Sequence, residues 1–167
     1  MSNPALFYAI AGVSMSFAGF AGVYLALRPE GAEWKEYESA QLSTIILYGL
    51  TTLFGALLIV PLADVLGESP ALRVMSAGLL VVVFYGHQIR AGTSWTGWPR
   101  LRDDLSRRAL LVEMAPFVLV ALADQALLVA NLVVPSEGLY QLALVTILAT
   151  PALVFVTVVT RLGSDDD

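Results

Sequence analysis

Five long apolar runs dominate this chain. They cover about 5–27, 42–63, 72–90, 109–134 and 139–160, and each ends at charge, Pro or Gly. Each is about 19–26 residues long, enough for a helix rising ~1.5 Å per residue to cross about 30 Å of hydrocarbon. A lipid-exposed backbone must satisfy its own polar groups, and these runs lack the two-residue alternation of barrel strands. The predicted fold is therefore all-α: a polytopic integral membrane protein, a bundle of five transmembrane helices. It forms a single domain over 1–163, followed by an acidic tail at 164–167. Connections two-to-three and four-to-five are short, which predicts antiparallel hairpins.

Composition excludes the main alternatives. The chain is 57% hydrophobic and 14% charged, against about 45–50% and about 25% in soluble domains. Such a chain is neither disordered nor a nucleic-acid binder led by basic charge. With Cys 0 it has no disulfide framework, thiol nucleophile or thiolate metal site, and His 1 cannot build a His-rich zinc site. No cofactor or metal is expected. There is no Walker A loop, no dinucleotide fingerprint and no alignable internal repeat. The first run lacks a basic leader and exceeds the apolar core of a signal peptide, so it is expected to be retained as a span.

Charge orients the bundle. Of the nine Lys and Arg residues, only Arg73 falls on the side that holds the first residues and the connections at 64–71 and near Pro135. The others lie in the 28–41 and 91–108 loops, at their borders, or near the end of the chain. The positive-inside rule then predicts an external N-terminus and a cytoplasmic C-terminus. Trp34, Trp95 and Trp98 fall in the same two loops, where an interfacial belt is expected. Trp98, Leu101 and Leu105 recur at helical spacing among charges. They fit either a short amphipathic helix in the headgroup layer or an ordinary polar loop. The second helix is expected to begin near Ala32.

Small residues mark the first span. Gly12, Ser16 and Gly19 form one stripe, and Ala11, Ala18 and Gly22 the next. Such faces let helices approach closely in lipid, where the hydrophobic drive between helices is missing. The expected use of the Gly12, Ser16, Gly19 and Gly22 face is packing within this chain's own bundle; the alternative is an oligomerisation face. Gly55 and Gly78 are expected to serve similar contacts. The stretch Ala18-Gly-Phe-Ala-Gly-Val23, with Trp34 and an acidic helix start leading to Leu42, resembles a family of small multi-pass prokaryotic membrane proteins without an established activity. The resemblance covers the first third of the chain and implies no catalytic residue. The single Lys, the Asp165–Asp167 tail and a pI near 4.7 suit a high-GC or salt-adapted prokaryote, and the expected location is the prokaryotic cytoplasmic membrane.

Intramembrane polar residues come nearest to chemistry. The fourth span holds Glu113, Asp124, Gln125 and Asn131. Glu113 and Asp124 are close to three helical turns apart, and Asp124 and Asn131 close to two, so all three project to nearly one face. An Asp at a helix centre costs roughly 2.5–3.5 kcal/mol to insert and so demands a partner, a proton or water. Counting along the spans places Ser14, Ser16, Thr51, Thr52, Thr146 and Thr150 in its layer. The candidate intramembrane polar site is Asp124, Asn131, Glu113, Ser16, Thr51 and Thr150. Pro151 is expected to free a carbonyl on the fifth helix. Nearer the cytoplasm, His87 and Glu113 form a candidate pH-sensitive pair; the alternative is a wet, interfacial His.

Three functional classes follow. The first is a structural or partner-binding membrane subunit, contacting the lipid bilayer and either a second copy of itself or another membrane protein. The second is a small proton- or ion-coupled channel or carrier using Asp124. The third, least favoured, is an intramembrane enzyme.

Overall fold

The computed structural model describes residues 1–27, 36–104 and 107–162, with side chains at 1–26, 41–86 and 115–156. It contains α1 (Pro4–Leu27), α2 (Glu36–Leu66), α3 (Glu68–Asp104), α4 (Arg107–Val133) and α5 (Glu137–Leu162). Among the described residues there is no strand. All five helices are long and apolar enough to cross a membrane, over Pro4–Ala26, Gln41–Leu66, Glu68–Gly86, Ala115–Val133 and Glu137–Val156.

Local chemistry sets the ends of the helices. Pro4 opens α1, where its missing N–H costs nothing because the first-turn donors have no partner in the helix. Gly67 alone separates α2 from α3. Its N–H donates to the Ala63 carbonyl at 2.9 Å, closing α2, and its own carbonyl accepts from Ala71 N–H at 3.1 Å, opening α3. It does both with φ at 85°, a conformation that strains any residue carrying a Cβ. At the other hairpin, Val134 N–H closes α4 on Ala130. Pro135 cannot continue that helix, and the Ser136 carbonyl accepts from Tyr140 N–H to start α5.

Helices α2 and α5 form the centre. Helix α1 packs along α2 and touches α5, but meets neither α3 nor α4 among the described residues. Helices α3 and α4 pack together on the opposite edge. The main core gathers Phe7, Tyr48, Ile59, Leu72, Tyr140 and Ile147. A smaller cluster of Ala21, Leu42, Ile45 and Val154 lies toward the other end. There Phe155 stands edge-on to Phe20 at 4.3 Å and to Phe17 at 6.1 Å, seating α1 on α5.

One expectation about the connections changes and another lies outside the described residues. Helix α3 runs on from its apolar run to Asp104, so the 98–104 stretch continues that helix and is not a separate element. Helix α2 is described from Glu36, and residues 28–35, including Trp34 and Ala32, lie outside the described residues.

Candidate functional site

The polar residues of α4 separate into an inner and an outer set. Asp124, Leu128 and Asn131 are fully buried, at the spacing of one helix face turned into the bundle. Asn131 ties three elements together. Its Nδ2 donates to Ser76 Oγ on α3 at 2.8 Å, and its Oδ1 accepts from the Ser136 N–H of the α4–α5 turn at 2.7 Å. Both halves of the amide are used, and Ser76 is itself fully buried. Asp124 sits at the middle of the Ala115–Val133 span. The residue has an interaction partner, and its buried Oδ1 is the carboxyl oxygen that no hydrogen bond reaches among the described residues.

Most hydroxyls of the predicted layer bond back within their own helices. Ser14, Thr52 and Thr150 are buried, but Ser14 donates to the Ile10 carbonyl and Thr52 to the Tyr48 carbonyl, each within its own helix. Ser16 and Thr51 do the same toward the outside, to Gly12 and Leu47. Ser16 lies on α1, which has no contact with α4, so it is not part of a site with Asp124. Such bonds to the residue one turn back let a hydroxyl satisfy itself in lipid without a neighbouring helix. The side chains of Glu113 and His87 lie outside the described residues, and with them the candidate pH-sensitive pair.

The glycine stripe on α1 is also reassigned. The chain packs α1 through Phe7, Ile10, Ala11, Ser14 and Ala21, all buried. There Gly49 of α2 approaches so closely that an added Cβ would lie 3.3 Å from the Ser14 carbonyl oxygen. Gly12, Ser16, Gly19 and Gly22 are exposed, and a Cβ on any of the three glycines would meet nothing within 4 Å. Ala11 and the half-buried Ala18 face in, and Gly12 and Gly19, about 100° round the helix from them, face out together with Gly22. Gly55 performs the expected close contact, with a Cβ there falling 2.9 Å from Leu144 and 3.3 Å from Leu79, whereas Gly78 is open.

One polar feature was not read from sequence. Glu137, in the first turn of α5, accepts from the backbone N–H groups of Ser2 at 2.5 Å and Asn3 at 2.9 Å. It also accepts from Ser2 Oγ and Gln141 Nε2. A carboxylate suits the donor-rich start of α1, so α5 supplies the cap that α1 lacks. The Met1 amine pairs with Glu68 at 2.7 Å, and that hydrogen bond holds the amine above its ordinary pKa. Deeper, Tyr140 donates to the Gly55 carbonyl at 2.9 Å and packs its ring against Phe7. A lone acidic residue after a Pro-Ser turn was the available signal for Glu137, but its partners are 134 and 135 residues away. Compared with known proteins, the chain matches no family model, no curated protein and no solved structure.

Proposed function

We propose that this chain is a multi-pass membrane subunit, non-catalytic, whose outer α1 face receives a transmembrane helix of another membrane protein. The observation that carries this reading is the open Gly12–Ser16–Gly19 stripe, exposed on the edge of the bundle and unused by it. Small residues toward lipid gain little contact with acyl chains, whereas against a helix they permit close backbone approach. The distribution of Lys and Arg supports an external N-terminus and a cytoplasmic C-terminus. The five long apolar helices support a membrane location, and the low pI with the resemblance of the first third supports a prokaryotic source.

A photo-crosslinking residue at Ser16, in the full chain in native membranes, tests the reading. A discrete protein adduct is expected from Ser16 and not from the exposed Phe54 of α2. Gly19→Ile should abolish it by holding the incoming helix away. Lipid adducts alone at both positions would overturn the proposal. A second reading, a proton- or ion-coupled channel or carrier, is favoured by the complete burial of Asp124 at mid-span. In liposomes it requires a flux that Asp124→Asn removes, and an unchanged flux ends it.

A further inference from the structure

Gln125 stands beside Asp124, one residue from the middle of its span, yet points elsewhere. It is half-buried and lines an open cleft of ≈ 610 Å³ on the α3–α4 edge, with Leu80, Val81, Phe84, Leu122 and Val129 around it. Val81, Phe84, Leu122 and Val129 face outward, Val81 being 67% and Leu122 62% exposed. Among the described residues the Gln125 amide makes no hydrogen bond, in contrast to Asn131 on the inner face.

Depth makes this amide informative. At mid-bilayer there is no bulk water to bond it, and the side chain is too short to reach the headgroups. Acyl chains offer neither donor nor acceptor. Intramembrane polar groups normally face the bundle interior or a wet cavity, and Gln125 does neither. Its helix is also the least covered of the five. Only 17% of the α4 span is buried, against 28–39% for the other four spans.

We propose that the α3–α4 face is a self-association surface, on which Gln125 pairs with the Gln125 of a second copy. Copies inserted with one topology share their depth in the bilayer, so a two-fold axis relating them runs along the membrane normal. A group near that axis meets its own equivalent at its own height. A carboxamide carries both donor and acceptor, so two facing Gln125 side chains satisfy each other reciprocally. Val81, Phe84, Leu122 and Val129 supply the apolar contact around the pair. This surface is separate from α1, on the opposite edge. The inference shares the membrane placement of the proposed function but not its α1 partner.

The absence of cysteine makes the test clean. Full-length protein carrying Ala126→Cys is reconstituted in liposomes and oxidised, beside Ser16→Cys and Phe54→Cys controls. Ala126→Cys should give a disulfide-linked dimer that neither control gives. Adding Gln125→Leu, which removes the amide but keeps an apolar side chain of similar size, should weaken dimerisation about 3- to 20-fold, the range of interhelical hydrogen bonds in membranes. Gln125→Asn should restore part of it. A monomer at all protein-to-lipid ratios, a dimer indifferent to Gln125→Leu, or a dimer linked through Ser16→Cys would each overturn the inference. An Ala126→Cys monomer whose Ser16 probe still captures another protein would defeat this inference and leave the α1 reading standing.

Discussion

The centre of the bundle and its two edges use the same residue types to opposite ends. At the centre, Gly55 admits Leu144 and Leu79, and the Asn131 amide is fully satisfied. At the edges, Gly12 and Gly19 admit nothing, and the Gln125 amide bonds nothing among the described residues. The difference lies in helix rotation and not in residue chemistry. A span in lipid gains no hydrophobic advantage from turning an apolar side inward, so close packing and polar satisfaction choose the face. What is left outward after that choice marks where another helix would fit.

The glycines provide the strongest way to break this comparison. Gly55→Ile forces a branched side chain between α2, α3 and α5, where a Cβ alone already lies 2.9 Å from Leu144. Overpacking of this kind costs about 1–3 kcal/mol. The melting temperature of the monomer in detergent should fall by several degrees, since 1 kcal/mol shifts it roughly 2–4 °C in a chain of this size. Gly12→Ile should leave the same melting temperature unchanged or slightly higher, because nothing is displaced and Ile is the better helix former. Equal losses at both positions would show that α1 packs through its glycine stripe after all.

The two amides of α4 sharpen the contrast at smaller magnitude. Asn131→Ala leaves the buried Ser76 Oγ and the part-buried Ser136 N–H without their partner. The expected loss is about 0.6–1.7 kcal/mol in monomer stability, the range of interhelical hydrogen bonds measured in membranes. Gln125→Leu should cost the monomer nothing, because its effect belongs to association. Thermal unfolding in detergent at low protein concentration separates the two.

The sequence shows how much of this could be read in advance. The apolar runs announce five helices because run length against bilayer thickness is nearly a one-dimensional problem. The spacing of Asp124 and Asn131 announces one shared face, and both are buried. Rotation about each helix axis is not one-dimensional. On α1, the Ala11–Ala18 and Gly12–Gly19 stripes have equal claim by spacing, and only the approach of Gly49 on α2 selects the first. On α4, Asp124 and Gln125 are adjacent polar residues, and the positions of α3 and α5 decide which points inward. Glu137 was not legible as a cap because its recipients, Ser2 and Asn3, are brought to it only by the assembled bundle.

The capped end of the bundle supplies a third, smaller test. Glu137→Ala removes the acceptor from two backbone donors at the start of α1. Loss of a helix cap costs about 0.5–2 kcal/mol, and this one is partly exposed, so the lower half of that range is expected. Hydrogen exchange should rise in the first turn of α1 and stay unchanged at the Phe155 end. A rise at both ends would mean that Glu137 holds the whole α1–α5 contact.

The smallest effect belongs to the Met1 amine. Its pKa is raised, chiefly by the hydrogen bond to Glu68; burial opposes the rise, and the charges of Glu68, Glu137 and Asp64 add to it. A cationic group with a raised folded-state pKa contributes stability that is fully present below its unfolded value, about 8, and is lost as pH climbs through the folded value. The pair is at the surface and Glu68 is open to water, so the effect is slight and screened by salt. Glu68→Gln should therefore melt a little below the parent chain near about pH 7, and the gap should close as pH rises above the raised value. A gap constant across that window would show that Glu68 supports the start of α3 by some route other than the amine. A gap that widens would reverse the sign of the linkage and remove the ion pair from the account of this end of the bundle.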